Sequence, residues 1–257
     1  MNPIILYDNR FNDAIPTATD TAAGYDVLNI RDLRTYTFHK FTGSGTKYYY
    51  INCGSGKTAD CLAIISHNLG TAGATVSVES SATGAWTGEQ VERLAGFVPT
   101  SDKALLKTFN SATAQFWRVK IVTAAVAAQV GVLMLGTKLL FPYPPDTPYR
   151  PYSERIEANT SLSKTGNILG STIRYYPIDV VAPFSNLTRT WVLDNFKPFW
   201  INHGRKLNPF FYAWDLDVYP DDVLFLACSP DMVYELPVSV LAYIDSIILR
   251  MQGVSEV

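Results

Sequence analysis

Residues 48–80 read YYYINCGSGKTADCLAIISHNLGTAGATVSVES, and the short runs of strand-forming residues in this stretch decide the fold class. Tyr48–Cys53, Cys61–Ser66 and Thr75–Ser80 are rich in Tyr, Ile, Val and Thr. Each is cut off by a cluster of small or polar residues: Gly54–Lys57, Asn68–Gly73 and Ala82–Gly88. The run Thr75–Ser80 alternates Val76 and Val78 with polar neighbours, the pattern of a strand with one wet face. Leu62–Ile65 does not alternate and is expected to be covered on both faces.

Working outward, the same texture runs from about 25 to 140, with further strands expected at Phe116–Val122 and Val130–Leu135 and a turn at Gly43–Gly45. No long 3.6-residue period interrupts it, which predicts a β-sandwich or barrel. Ile121–Thr137 carries no charge, but it is slightly shorter than the roughly 18 residues of a membrane span. Thr123, Gln129, Gly131 and Gly136 interrupt it, so two buried strands around a turn at TAAVAAQ are expected rather than a span.

Residues 141–153, FPYPPDTPYRPYS, hold Pro142, Pro144, Pro145, Pro148 and Pro151, which exclude helix and central strand. An extended connector is expected here, so the chain divides into a β-sandwich or barrel domain at 1–140, a Pro-rich linker at 141–160 and a second domain at 161–257. In the second domain Ser171–Val180 reads as a strand, and Ser185 or Asn186 as a helix cap. A helix over 187–202 should turn Leu187, Trp191, Phe196 and Trp200 to one side, with Pro198 kinking or ending it. Strands are expected at Val223–Ala227 and Val238–Leu249. The fold class is therefore mainly β: an N-terminal sandwich or barrel, which the resemblance given below makes a jelly-roll β-sandwich, then an α+β domain with one helix packed on a sheet.

Charged residues make up only 17% of the chain, below the roughly 25% of an average soluble domain, so much of the surface is neutral, as in a subunit covered by neighbours or in a β-rich monomer with many Thr, Ser and Asn. Lys and Arg total 21 against 23 for Asp and Glu, leaving no excess of positive charge to bind nucleic acid. Cys53, Cys61 and Cys228 have neither disulfide nor zinc spacing and are expected as buried free thiols. Asp8, Arg10 and Asp13 interrupt any apolar signal run, so synthesis in a cytoplasm is expected.

No catalytic, cofactor or metal residue is nominated. Gly54–Thr58, GSGKT, lacks the earlier glycine of a phosphate loop, since Ile51 stands there, and LAIIS rather than a helix follows. His39, His67 and His203 sit in unrelated segments with no nucleophile elbow. Asp215, Asp217, Asp221 and Asp222 lack the glycine and terminal glutamate of a calcium loop and read as a solvated turn. Asn159-Thr160-Ser161 and Asn186-Leu187-Thr188 match the glycosylation pattern, which means little without a secretion signal. Of the tryptophans, Trp117 in FWRVKIV reads as core, whereas Trp86 in the polar loop SSATGAWTGEQ is the candidate glycan contact.

The order YYYINCGSGKTADCLAIISHNLG, ATVSVESS, FWRVKIV and VGVLMLG resembles galactose-binding-like jelly rolls, above all those in tail proteins of bacterial viruses. Ser171–Tyr176, Leu187–Gly204 and Pro209–Tyr212 are similar to the ring-forming domain of distal or minor tail proteins, from which Pro198 departs. The resemblance implies a tail-tip or baseplate structural protein rather than an enzyme. It would be made in the bacterial cytoplasm, reside in the virion tail and form a homo-oligomer, a hexameric ring, beside tube, hub or fibre subunits. A carbohydrate-binding module or adhesin contacting a surface glycan is the alternative, and a glycan hydrolase the second alternative.

Overall fold

The computed structural model describes residues 2–151, 153–234 and 243–254, which form two compact units. The first comprises Pro3–Leu140 together with Phe211–Val223. Its strands are β1 (Ile4–Leu6), β2 (Thr17–Ala18), β3 (His39–Lys40), β4 (Gly45–His67), β5 (Thr75–Ser81), β6 (Val91–Phe97), β7 (Leu105–Thr123), β8 (Gln129–Gly136) and β9 (Leu139–Leu140).

The long strands β4 and β7 run through both halves of one seven-stranded sheet. The first half of β4 pairs with the second half of β7, which continues through β5 to β6. The second half of β4 pairs with β8 and with the first half of β7, and β8 with β3. The register slips between Asn52 and Lys57, where Gly54 takes a left-handed φ of 71° that favours glycine. The expected turn at Gly54–Lys57 is thus a bulge inside one continuous strand, which redirects the chain without ending it.

Tyr49, Ile51, Val76, Val78, Trp117 and Val119 from one half of the sheet meet Leu62, Ile64, Val130 and Leu133 from the other in one buried cluster. At about 1.5–3 kcal/mol for each fully buried large side chain, this cluster dominates the unit's stability. Cys61–Ile65 is buried throughout, as its unbroken apolar run predicts. The alternation of Thr75–Ser80 holds only in part: Thr75 is exposed, but Ser77 and Glu79, expected to be wet, are buried. Strands β1, β6 and β9, the short β2 and β3, and the first half of β7 escaped the sequence pattern. β1 pairs with β9 and with β13 (Phe210–Ala213), a segment that the sequence reading gave to the second domain.

The second unit holds Phe141–Phe210 and the chain from Leu224 on. After the Pro-rich segment come β10 (Glu157–Leu162), β11 (Ile168–Tyr175) and β12 (Pro177–Thr188), then β14 (Val223–Cys228) and β15 (Tyr243–Val254). β10 starts inside the stretch expected as linker, and Ser171–Val180 is broken at Tyr176. Of the strand expected at Val238–Leu249, residues 238–242 lie outside the described residues. β15 pairs along its length with β12, and its last residues, Met251–Gly253, pair also with β14. The Pro-rich segment lies along β12: Asp146 N–H donates to Pro183 O at 2.8 Å and Asp179 N–H to Ser153 O at 3.0 Å.

The helix begins at Arg189, later than expected. Ser185 and Asn186 belong to β12, and the cap is Thr188, whose hydroxyl accepts from Trp191 N–H. It runs as α1 (Arg189–Trp191), a π turn (Val192–Phe196) and α2 (Lys197–Asn202). The wide π turn directly before Pro198 accommodates a residue with no N–H to donate, so the proline neither ends nor breaks the helix. Val192, Phe196 and Phe199 are its buried residues, while Trp191 and Trp200 are only half-buried, at Phe141 (5.2 Å between ring centroids) and Tyr234 (5.4 Å). Among the described residues no helix is long and apolar enough to cross a membrane.

Candidate functional site

Strand parity turns Tyr49, Ile51, Trp117 and Val119 inward, so Tyr48, Tyr50, Asn52, Phe116, Arg118 and Lys120 must face out. The register sets them in rows across three strands: Tyr48–Lys120–Ser77, Tyr50–Arg118–Glu79 and Asn52–Phe116–Ser81. Arg118 is the centre of this face. Its Nε and one terminal nitrogen each lie 2.5 Å from Glu79 Oε2, and Lys120 Nζ stands 3.8 Å from Glu79 Oε1. The guanidinium carbon lies 4.3 Å from the Tyr48 ring centroid and 4.2 Å from that of Trp86, and Tyr50 packs against both aromatics. Arg118 and Glu79 are only 8% and 6% exposed, so their charges are spent on each other.

Trp86 reaches this face because the loop between β5 and β6 folds back over it. The Glu89 carboxylate forms the loop's centre, accepting from the Ser81 hydroxyl, from the Thr83 N–H and hydroxyl (3.1 and 2.9 Å) and from Ala85 N–H (3.0 Å). These bonds, the Ser81 hydroxyl first, push its pKa from 4.5 down to about 2. Gly84, at a positive φ, sits on the Phe116 ring where a Cβ would meet it at 2.9 Å. Trp86 itself holds φ 52°, a left-handed conformation costing an L residue about 1–2 kcal/mol. The sequence-nominated Trp86 is therefore not free-standing: it is half-buried, with Arg118 against its ring.

Beside this wall, Asn52 and Gln115 form an amide pair. Asn52 Oδ1 accepts from Gly54 N–H at 2.9 Å and from Gln115 Nε2 at 3.1 Å. The sequence reading missed Tyr48, Tyr50, Asn52, Gln115, Glu79, Glu89 and Arg118. The parity of YYYIN and FWRVK around one inward residue was the signal that could have found Tyr48, Tyr50, Asn52 and Arg118.

The other residues weighed from sequence do not gather into a site. GSGKT lies in the β4 bulge. Asp215 accepts from Asp217 and Val218 N–H, a local turn. Among the described residues no group of three or more His, Cys, Asp or Glu could hold a metal ion. His39 and His203 are buried and hydrogen-bonded, to Tyr49 and Thr21 and to Pro209 O. Trp117 is core and donates to Ala114 O. Burial pushes the Cys53 and Cys228 thiols up to about 12 and raises Cys61 too, which leaves inert thiols rather than nucleophiles.

A second surface lies on the other unit. The β10–β11 hairpin is almost wholly exposed, with Leu162 at 60%, Ile168 at 72% and Leu169 at 70%.

Together these features define a mainly β chain: a jelly-roll sandwich with an aromatic–guanidinium face, followed by a β-rich unit with one helix. No family model matches the chain, and no curated protein matches it. Among solved structures it is similar to chitosan-binding module 1 of a chitosanase/glucanase from Paenibacillus sp. IK-5, at 17% identity over 50% of this chain and 98% of that one (TM-score 0.41). It is also similar to a CBM32 module of AlyQ solved with 4,5-unsaturated mannuronic acid, at 19% identity over 50% and 95% (TM-score 0.41). A third is a Clostridium perfringens module solved with GalNAc-β-1,3-galactose, at 13% identity over 49% and 97% (TM-score 0.42). At these identities and TM-scores the likenesses assign neither ligand nor site to this chain.

Proposed function

We propose that the first unit is a non-catalytic carbohydrate-binding module whose contact face is the Trp86–Tyr50 side of its outer sheet. The observation that carries this reading is the posture of Trp86. Trp191 and Trp200 are half-buried too, but among the described tryptophans Trp86 alone is held by a left-handed backbone, in a loop closed on the Glu89 carboxylate. Indole and phenol rings with a fixed backing suit the apolar C–H faces of sugars. Glycoside hydrolysis needs a pair of free carboxyl groups. On this face Glu79 is consumed by Arg118 and Lys120 and Glu89 by its own loop, which leaves Glu92, opposite Glu79 on β6, as the exposed carboxylate among the described residues. Titration of the full chain against a panel of immobilised glycans tests the reading. Binding by the wild type, weakened about tenfold or more in Trp86→Ala, is expected. Equal binding by both, or none by the wild type, overturns it.

A subunit of a phage tail tip is the second reading, and the β10–β11 hairpin favours it. An isolated two-stranded hairpin is marginal in water, and apolar side chains exposed together on it suit a neighbouring subunit. In this reading the second unit closes a homo-oligomer, a hexameric ring, beside tube, hub or fibre proteins in a virion tail, and carries the first unit as its decoration. Its test is the subunit arrangement in the intact particle: a chain making no symmetric contact through residues 160–250 ends it. The two readings are compatible, since a ring subunit can present a sugar-binding domain.

A further inference from the structure

Resting on the carbohydrate-binding reading, we infer that the face takes an uncharged sugar, gripped between the Trp86–Tyr50 wall and the Asn52–Gln115 amide pair. The face has no free charge for a charged sugar. An anionic sugar needs a free cation, and Arg118 is held by Glu79 on its edge and by Tyr48 and Trp86 on its faces. Taking Arg118 for a ligand carboxylate would strand the Glu79 charge, buried at 6% exposure. Lys120 also leans on Glu79. A cationic sugar fares no better. Glu79 is spent on Arg118, the Glu89 carboxylate holds its own loop together, and the space among the aromatic rings that would hold an ammonium is filled by the chain's own guanidinium. The exposed carboxylate of Glu92 lies three strand spacings from Tyr50 along its row, about 14 Å, too far to act with the wall on one ring.

What remains free is neutral and directional. Asn52 Oδ1 accepts from a backbone N–H, which fixes the amide's orientation and leaves its NH2 group turned away as a donor. Gln115 donates its Nε2 to the same oxygen, leaving Oε1 as an acceptor. Neither of these outward atoms has a protein partner among the described residues. A donor and an acceptor held side by side match two adjacent sugar hydroxyls, each of which both donates and accepts. Asn52 follows Tyr50 by two residues on the same strand face, about 7 Å, so one short oligosaccharide can meet both the wall and the amides. The bulge at Gly54 makes this possible: by orienting Asn52 it fixes the donor before any ligand arrives.

The experiment measures binding of the full chain to three probe sets at low and high salt: neutral oligosaccharides built on galactose or glucose, uronic-acid oligosaccharides, and chitosan oligosaccharides. Expected is binding to members of the neutral set, little changed by salt. It should weaken about tenfold in both Trp86→Ala and Asn52→Ala. Asn52 is exposed, so its replacement leaves the fold intact and serves as the control for any misfolding of the Trp86 variant. Salt-sensitive binding confined to the uronic or chitosan probes, still lost in Trp86→Ala, overturns this inference while sparing the carbohydrate-binding reading. Neutral binding untouched by Asn52→Ala also overturns the inference alone. Absence of binding to every probe overturns both.

Discussion

The outer face around Arg118 and the β10–β11 hairpin both present large side chains to solvent, and they do so in opposite ways. Around Arg118 every ring is braced: Tyr48 and Trp86 by the guanidinium, Tyr50 by both neighbours, and the Trp86 loop by Glu89. On the hairpin, Ile168 and Leu169 stand beside other exposed residues on a ribbon of two strands. Bracing costs conformational freedom before a ligand arrives and suits a small ligand that cannot repay much ordering. An unbraced apolar ribbon suits a macromolecular neighbour that covers it over a large area.

The largest expected difference is in stability. Trp117→Ala, at the centre of the sandwich, should cost about 3–5 kcal/mol in urea unfolding. Leu169→Ala on the hairpin should stay within about 0.5 kcal/mol for the isolated chain. A hairpin substitution as costly as the core one would mean the ribbon is already covered within the monomer.

The second effect is on pH. Burial lowers the pKa of His39, His67 and His203 below the ordinary 6.5, so the folded state binds fewer protons there than the unfolded chain. Their contribution is complete above 6.5 and is lost as pH falls through the lowered values. His67 is the most telling, because its Nε2 is buried with no partner and protonation would bury a charge there. The urea midpoint should drop between pH 7.5 and pH 5, and less so in His67→Gln; a flat or rising midpoint would contradict the burial of these rings.

How far the two surfaces were legible differs for physical reasons. Trp86 could be singled out because a tryptophan among Ser, Thr and Gly has no apolar neighbours in sequence to pack on. Its partner Arg118 was invisible because the contact joins residues far apart in sequence through the register of β7 with β5, which turn chemistry and a bulge set. The fold class followed from the strand runs and their Gly-rich punctuation. β6 did not, since VERLAGF on an outer strand shows little apolar contrast. The helix start was misjudged because Asn186 holds a left-handed conformation within β12 that resembles a cap in sequence alone.

A smaller effect separates the braced face from its brace. Glu89→Gln removes the charge but keeps the shape, and should weaken glycan binding severalfold with little change in the urea midpoint. In the wild type the loop's hydrogen-bonded form is favoured above the ordinary pKa of 4.5 and is lost only as pH falls toward about 2, so binding should persist at pH 4 wherever the fold does. Loss of binding at pH 4 in a still-folded chain would show that Glu89 does not hold the loop.

The central claim is that Trp86, and not the hairpin, makes the sugar-binding face. Its most direct test is side-by-side titration of wild type, Trp86→Ala and the double variant Ile168→Asp, Leu169→Asp with one neutral oligosaccharide. Trp86→Ala alone is expected to lose about tenfold or more in affinity while the double variant binds like the wild type. Unchanged binding by Trp86→Ala, or loss confined to the hairpin variant, would contradict it.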